Sequence, residues 1–346
     1  MYYLTYRPKT LEELDNSQVR DVLRNLLASK EIPHAMLFIG QKGTGKTSTA
    51  RILAKSVNCL ENKFAGKGES VEPCNHCPNC TAIDSSSSPD VLELDAASNR
   101  GIDEIRSLIK ESVFLPMACR YRVFIIDEAH MITTDAFNAL LKTLEEPPST
   151  VLFILATTNE EKVPKTIVSR CYRVSFGSAK REDILRMLQR IVEAEKLVTD
   201  PAILELVAKH SEKSFRDTTK LLEELVIQNK LNLQDAKEYL GIRGQYSLLE
   251  LIDQKTLKEA LSWTEELTQS GGSVKNLIEE LLEDLREALL VKSGVSSQED
   301  EYTHLSLSDV MKLMKLFTDA YQLLKISPID SIPLEIALVE FYNGRK

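Results

Sequence analysis

The segment Gly40-Gln41-Lys42-Gly43-Thr44-Gly45-Lys46-Thr47 constrains this chain more than any other. It has the glycine, lysine and threonine spacing of a phosphate-binding loop. The apolar run Ala35-Met36-Leu37-Phe38-Ile39 precedes it and a helix-like stretch, Ser48 to Asn58, follows it. Glycines let the backbone curl so that successive N–H groups and a helix N-terminus converge on phosphates. Lys46 is spaced to reach the outer phosphates and Thr47 to hold Mg²⁺. A strand before and a helix after separate such a loop from an ordinary Gly-rich turn. The chain is therefore expected to contain a P-loop α/β unit that binds a nucleoside triphosphate.

The first half supports that unit. Ala35 to Ile39, Val91 to Leu94, Val123 to Ile126 and Val151 to Ala156 read as buried strands alternating with helical patterns, which predicts a parallel sheet with helices on both faces. Glu145-Glu146-Pro147-Pro148 should end the helix that carries Phe137, Leu140, Leu141 and Leu144, because proline cannot continue it. From about Lys180 the strand pattern stops. Ile184, Leu185, Leu188, Ile191, Ile203, Leu206, Val207, Leu221, Leu222 and Leu225 recur at helical spacing, which predicts a small bundle. Gly241-Ile242-Arg243-Gly244 reads as a hinge into a second helical unit, interrupted by the polar stretch Ser293 to Thr303. At 346 residues, three domains are expected: 1–178, 179–242 and 243–346.

Composition narrows the function classes. Hydrophobic content of 43% and charged content of 27% fit a folded, soluble chain, and no apolar run approaches a membrane span, so a cytoplasmic protein is expected. The net charge of −9 argues against a protein that coats nucleic acid. Residues 1–180 hold 22 basic and 22 acidic side chains, whereas 181–346 hold 21 and 30, so any nucleic-acid contact should use local basic residues of the first half.

Two more motifs carry chemistry. Val123 to Ile126 ends in Asp127-Glu128-Ala129-His130. Two carboxylates at a strand tip suit Mg²⁺ support by Asp127 and orientation of an attacking water by Glu128. An additional cation near the γ-phosphate is expected for such hydrolysis, and Arg170 in Ser169-Arg170-Cys171 is the best candidate. Cys59, Cys74, Cys77 and Cys80 supply four soft ligands for one tetrahedral Zn²⁺, with His76 able to replace one thiolate and four cysteines the preferred set. With no ligand position left open, that site should be structural or protein-binding.

These motifs together resemble the gamma/tau subunit family of bacterial DNA polymerase III, the AAA+ ATPase of the sliding-clamp loader. The likeness is dense over about residues 6–177: Tyr6-Arg7-Pro8-Lys9-Thr10, the P-loop, the four cysteines, Asp95-Ala96-Ala97-Ser98, Asp127-Glu128-Ala129-His130-Met131, Phe137 to Pro148, Ala156-Thr157-Thr158 and Ser169-Arg170-Cys171. It continues more thinly in Ser214-Phe215-Arg216-Asp217, similar to a lid motif, and Pro333 to Glu340, similar to the end of an oligomerising collar. The resemblance implies an AAA+ core with an inserted zinc knuckle, a helical lid and a helical collar. It implies ATP hydrolysis that loads the beta clamp onto primed DNA, in assembly with further gamma/tau copies, delta and delta prime, and no membrane partner.

Residue roles also follow from the resemblance. Gly40, Gly43, Thr44, Gly45, Lys46, Thr47 and Ser48 would hold the phosphates, with Arg7 and Pro8 beside the nucleotide, Thr158 as first sensor and Arg216 as second sensor. Arg170 becomes an arginine finger acting on the neighbouring subunit's ATP, while Arg100, Arg106, Lys142 and Thr166 match or adjoin positions that touch template phosphates. As holoenzyme subunits, members are grouped with DNA-directed DNA polymerase, a nucleotidyltransferase. The chain departs from the pattern at Asn16-Ser17-Gln18, where Val-Gly-Gln is usual, at Lys213, where glycine is usual, and at Asn99-Arg100-Gly101, where more positive charge occurs. Its end soon after the collar suggests a gamma-type length. Rival expectations are a non-catalytic stator of the same assembly and an AAA+ remodeller or helicase.

Overall fold

Strict alternation along the strands decides the architecture of the N-terminal unit. In the computed structural model, which describes residues 1–29, 31–99, 101–211, 214–239, 248–269, 273–295, 302 and 304–344, five strands form one sheet. They are β1 (Ala35–Gly40), β2 (Val91–Asp95), β3 (Arg122–Asp127), β4 (Val151–Thr157) and β5 (Tyr172–Gly177), all parallel, in the order β2-β3-β4-β1-β5. Met36, Phe38, Val123, Ile125, Leu152 and Ile154 point to one face, and Ala35, Leu37, Phe124, Ile126, Phe153 and Leu155 to the other. Period-2 side chains with both faces buried require a cover on each side. Helices α2 (Ser17–Ser29) and α3 (Lys46–Asn58), which follow the short α1 (Tyr2–Thr5), cover the first face. Beyond the short α4 (Pro78–Asp84), α5 (Ile102–Ser112), α6 (Thr134–Glu145) and α7 (Lys165–Val168) cover the second.

The edges depart from the sequence expectation. β2 was expected to be buried, but it is an edge strand whose Glu93 is exposed and ion-paired with Arg51. The opposite edge, β5, was not expected at all. It buries only Val174 and Phe176, so it lacks the continuous apolar run that marks the central strands. α6 ends at Glu145, directly before Glu146-Pro147-Pro148.

Beyond the sheet, α8 (Arg181–Glu195), α9 (Pro201–Lys209) and α10 (Phe215–Ile227) pack on one another, and α10 also packs on α1. Asp200 and Ser214 start α9 and α10 by accepting the backbone N–H of Ala202 and Asp217 with their side chains. The chain divides into two compact units, Met1–Leu233 and Gln234–Lys346, with α11 (Leu233–Tyr239) beginning at the division. The second unit contains α12 (Leu248–Gln254), α13 (Leu257–Gln269), α14 (Val274–Lys292), α15 (Leu307–Leu323) and α16 (Ile332–Asn343), around a core that includes Leu249, Ile278, Leu285, Leu313, Phe317, Leu338 and Phe341. The expected hinge Gly241 to Gly244, and Arg100 and Lys213, lie outside the described residues. Among those described, no helix is long and apolar enough to cross a membrane.

Candidate functional site

Parallel pairing brings the strand ends that carry the chemistry to one edge of the sheet. Ile39 is in register with Thr157, and Asp95 with Asp127, so β2, β3 and β4 deliver polar residues at their carboxyl ends, on the edge where β1 runs into the loop at Gly40. That is the edge at which open α/β sheets bind ligands.

The P-loop joins β1 to α3 there. Gly43 and Gly45 have φ of +78° and +94°, a region that favours glycine. Gly43 is needed for space as well, since a Cβ on it would stand 1.9 Å from Ser214 Oγ at the start of α10. Gly40 is similarly confined by Phe176 of β5. The Lys46 side chain is buried, and its ammonium donates to the carbonyls of Gly40 and Gln41 at 2.8 Å each. Burial lowers its pKa, while Glu128 and Asp127 act in the opposite sense. The Thr44 hydroxyl donates to Gln41 O at 2.8 Å, closing the loop on itself.

Thr47 Oγ1 donates to Asp127 Oδ2 at 2.5 Å, so a hydroxyl and a carboxylate of hard-oxygen character meet where the P-loop helix begins. This donor set fits Mg²⁺. Glu128 follows with left-handed backbone, φ 48° and ψ 43°, and its Oε2 accepts the Thr158 hydroxyl at 3.3 Å. Arg7 Nε donates to Ser48 Oγ at 2.7 Å, and burial followed by the charge of Arg51 lowers the Arg7 pKa. Arg7, Pro8, Asp127, Glu128 and Arg216 line a common cavity of 270 Å³ over the loop. The Arg216 guanidinium lies 5.1 Å from the centroid of the Tyr3 ring, on which it rests. Asn16, where the chain departs from the family pattern, is buried; its amide donates to Phe176 O at 2.8 Å and its Oδ1 accepts Val19 N at 3.1 Å, tying β5 to the start of α2.

Arg170 does not line that cavity. It follows α7, pairs with Glu145 at the end of α6, and donates to Thr166 O at 2.8 Å. Thr166 is therefore part of the same surface corner. Lys142 on α6 and Arg106 on α5 are both exposed, the latter 3.9 Å from Asp103, and α5, α6 and α7 pack in series.

Three residues at the site were not assigned a role from sequence. His130 faces Glu128, Thr157 is buried beneath it, and Asp15, paired with Arg190 at 2.8 Å, lines the cavity. His130 and Thr157 stand inside motifs that were quoted, but their contacts are set by folding and not by spacing.

The four cysteines converge. The Sγ atoms of Cys59, Cys74, Cys77 and Cys80 all lie within 4.8 Å of one another. Cys59 follows α3, while Cys77 caps and Cys80 lies in α4. Backbone N–H groups already point at sulfur: Cys74 N and Glu61 N to Cys59 Sγ at 3.4 Å, and Cys77 N to Cys74 Sγ at 3.2 Å. Burial pushes the Cys77 thiol up, but N–H donors from Leu60 and Cys80 and the neighbouring thiols outweigh it and bring the pKa to about 7. Four cysteine sulfurs gathered this closely, with such donors, fit Zn²⁺. His76 is not part of the four-sulfur group; its ring is held by Cys74 O at 2.8 Å and Glu61 at 3.0 Å, and a ring nitrogen lies within 4.8 Å of Cys74 Sγ.

Comparison with known proteins bears on these features. Residues 15–180 match the family model described as DNA polymerase III, delta subunit. The chain is 40% identical over 298 residues to the tau subunit of DNA polymerase III from Bacillus subtilis, covering 84% of this chain and 52% of that protein. It is 37% identical over 300 residues to gamma/tau of Mycobacterium tuberculosis strain H37Rv, covering 84% and 51%. To the gamma subunit of Buchnera aphidicola subsp. Baizongia pistaciae it is 30% identical over 358 residues, covering 98% and 95%. The chain thus spans about half the length of the tau and gamma/tau relatives and nearly all of this gamma relative. Among solved structures, the RuvB Holliday junction branch migration motor of Thermotoga maritima aligns with a TM-score of 0.48 at 15% identity, over 74% of this chain and 84% of that one.

Proposed function

The chain belongs to the bacterial DNA polymerase III gamma/tau subunit family, and on that premise we propose that it is an ATP-hydrolysing motor subunit of a clamp loader. The observation that carries this reading is the meeting of Lys46, Thr47, Asp127 and Glu128 at one cavity on the carboxyl edge of the sheet. The loop N–H groups and the N-terminus of α3 hold the phosphates. Lys46 exchanges its two carbonyl partners for phosphate oxygens. Thr47 and Asp127 hold Mg²⁺, which when bound offsets charge on the β- and γ-phosphates. Glu128 accepts a proton from the attacking water as the water adds to the γ-phosphorus, and ADP leaves. Thr158, directly after β4, and Arg216 in α10 contact the outer phosphates.

Arg170 completes the site of a neighbouring subunit. Its absence from its own cavity supports that role. In this reading the lid is the α8–α10 bundle and the three expected domains are core, lid and collar. The collar assembles the subunit with further gamma/tau copies, delta and delta prime, and the exposed Ile326, Ile329, Ile332 and Ile336 give it an apolar surface for that purpose. Arg106, Lys142 and Thr166, with Arg100, contact template phosphates without reading sequence. The beta clamp is engaged by the core, whose exposed Val113, Phe114, Leu115 and Met117 form an apolar loop held by Asp90 through the N–H groups of Met117, Ala118 and Cys119 at 2.7–2.8 Å. The zinc knuckle is a structural brace. Work on the bacterial chromosome places the protein in the cytoplasm, and its grouping with DNA polymerases reflects the holoenzyme, since the chemistry of this chain is ATP hydrolysis.

Arg170→Ala tests the reading. In a loader reconstituted with clamp and primed DNA it should lower stimulated ATPase by about 10³-fold while ATP binding is kept. Unchanged stimulation would reject the trans role, and a wild-type loader that neither binds nor hydrolyses ATP would reject the motor itself.

A further inference from the structure

We infer that His130 is a positioning residue for Glu128, with its ring proton fixed on Nδ1 by Thr157. The inference rests on the ATPase reading above and deepens it. Thr157 ends β4 and is fully buried. Its hydroxyl has one hydrogen, which is given to Asn159 O at 3.0 Å, while Oγ1 accepts Asn159 N at 3.0 Å. The third neighbour of Oγ1 is His130 Nδ1, at 3.2 Å. With the hydroxyl hydrogen given to Asn159 O, and with the acceptor-only carboxylate of Glu128 also beside Nδ1, the ring proton belongs on Nδ1. The same Nδ1–H lies 3.4 Å from Glu128 Oε2.

Glu128 Oε2 therefore accepts the Thr158 hydroxyl and faces, at 3.4 Å, the His130 Nδ1–H, whose hydrogen it shares with Thr157. Oε1 takes neither of them and is the oxygen left for the water. The short 3₁₀ turn Ala129–Met131 makes this possible, since it folds His130 back beside the strand tips, where Met131 N donates to Glu128 O at 2.8 Å. His130 thereby ties the carboxylate to the end of β4. The direction of Glu128 and the position of Thr158 are coupled through two adjacent threonines.

The geometry prescribes which replacements should work. An asparagine amide can place its nitrogen where Nδ1 stands, whereas a glutamine amide reaches the Nε2 position. In a loader reconstituted with clamp and primed DNA, His130→Ala and His130→Gln should lower kcat about tenfold or more, with the KM for ATP and equilibrium ATP binding changed less than twofold. His130→Asn should recover kcat to within about threefold of wild type. Should the alanine variant fail to fold, the contrast between asparagine and glutamine carries the test. Wild-type kcat in the alanine or glutamine variant, equal recovery by glutamine and asparagine, or a loss confined to KM would overturn the inference. An active wild type beside an unaffected His130→Ala removes only this role for His130, whereas an inactive wild type removes the ATPase reading and this inference with it.

Discussion

The two ends of α3 are held in opposite ways. Its 13 residues span about 20 Å, with the P-loop at one end and the first residue of the four-cysteine cluster at the other. At the N-terminal end, two left-handed glycines lead into a buried ammonium resting on loop carbonyls and a hydroxyl resting on a carboxylate. Each of those partners can be exchanged for a phosphate oxygen or a cation. At the C-terminal end the partners are permanent. Lys55 Nζ is buried between Asn75 Oδ1 at 2.7 Å and Asp84 Oδ1 at 2.8 Å, and Asn62 Nδ2 donates to Ser56 O at 2.8 Å. The Asn58 side chain accepts from Arg120 N and Tyr121 N and donates to Tyr121 O. A helix that must present unsettled chemistry at one end is anchored at the other by bonds that no ligand replaces.

Removing the metal should give the largest change in stability. Cys80→Ser, or a strong chelator, is expected to release one zinc per chain and lower the unfolding temperature by about 10 °C or more, because closely packed thiols lose their common partner. Metal content and thermal unfolding measured together check this. An unchanged transition after metal loss would place the anchoring elsewhere.

The opposite end should respond in function and not in fold. Lys46→Ala is expected to weaken ATP binding roughly 100-fold, through loss of a buried charge opposite phosphate, yet to leave the unfolding temperature within about 3 °C of wild type, since it also removes a desolvated ammonium. A fall as large as that of Cys80→Ser would break the comparison. Asn58→Ala should then lie between the two, costing about 3 kcal/mol of stability by leaving the part-buried N–H groups of Arg120 and Tyr121 without their acceptor, with ATP affinity nearly unchanged. Denaturant unfolding and nucleotide titration distinguish these outcomes.

What was legible in the sequence follows the same division. β1, β3 and β4 could be read because central parallel strands are buried on both faces and therefore run apolar. β5 could not, since an edge strand buries one face and Val174 and Phe176 alone carry the signal. The P-loop and the cysteines were legible because their chemistry is tied to short spacings. Contacts that depend on distant segments were not: Ser214 against Gly43, Arg216 on Tyr3, and Arg190 on Asp15 join residues more than 170 positions apart. Arg170 occupies a surface corner with Glu145 because α6 and α7 pack together, a fact that no local pattern contains.

Titration gives the smallest test of the comparison. Asp15 lines the cavity at the loop end, and burial raises its carboxyl to about 6 despite the pull of Arg190 in the other direction. A folded-state pKa above the unfolded value of 3.8 means that the folded chain binds the proton more tightly. Its contribution to stability is complete below that unfolded value and is lost as pH rises through about 6. The neutral side chain of Asp15→Asn does not follow that loss. The unfolding free energy of Asp15→Asn minus that of wild type should therefore increase between about pH 4 and pH 6 and then level off, with a total of at most about 3 kcal/mol. The same difference for Asn58→Ala should stay flat over this range, because no titrating group is removed. A difference for Asp15→Asn that falls with rising pH would show that pairing with Arg190 outweighs burial, and that the loop end, too, is fixed by a permanent partner.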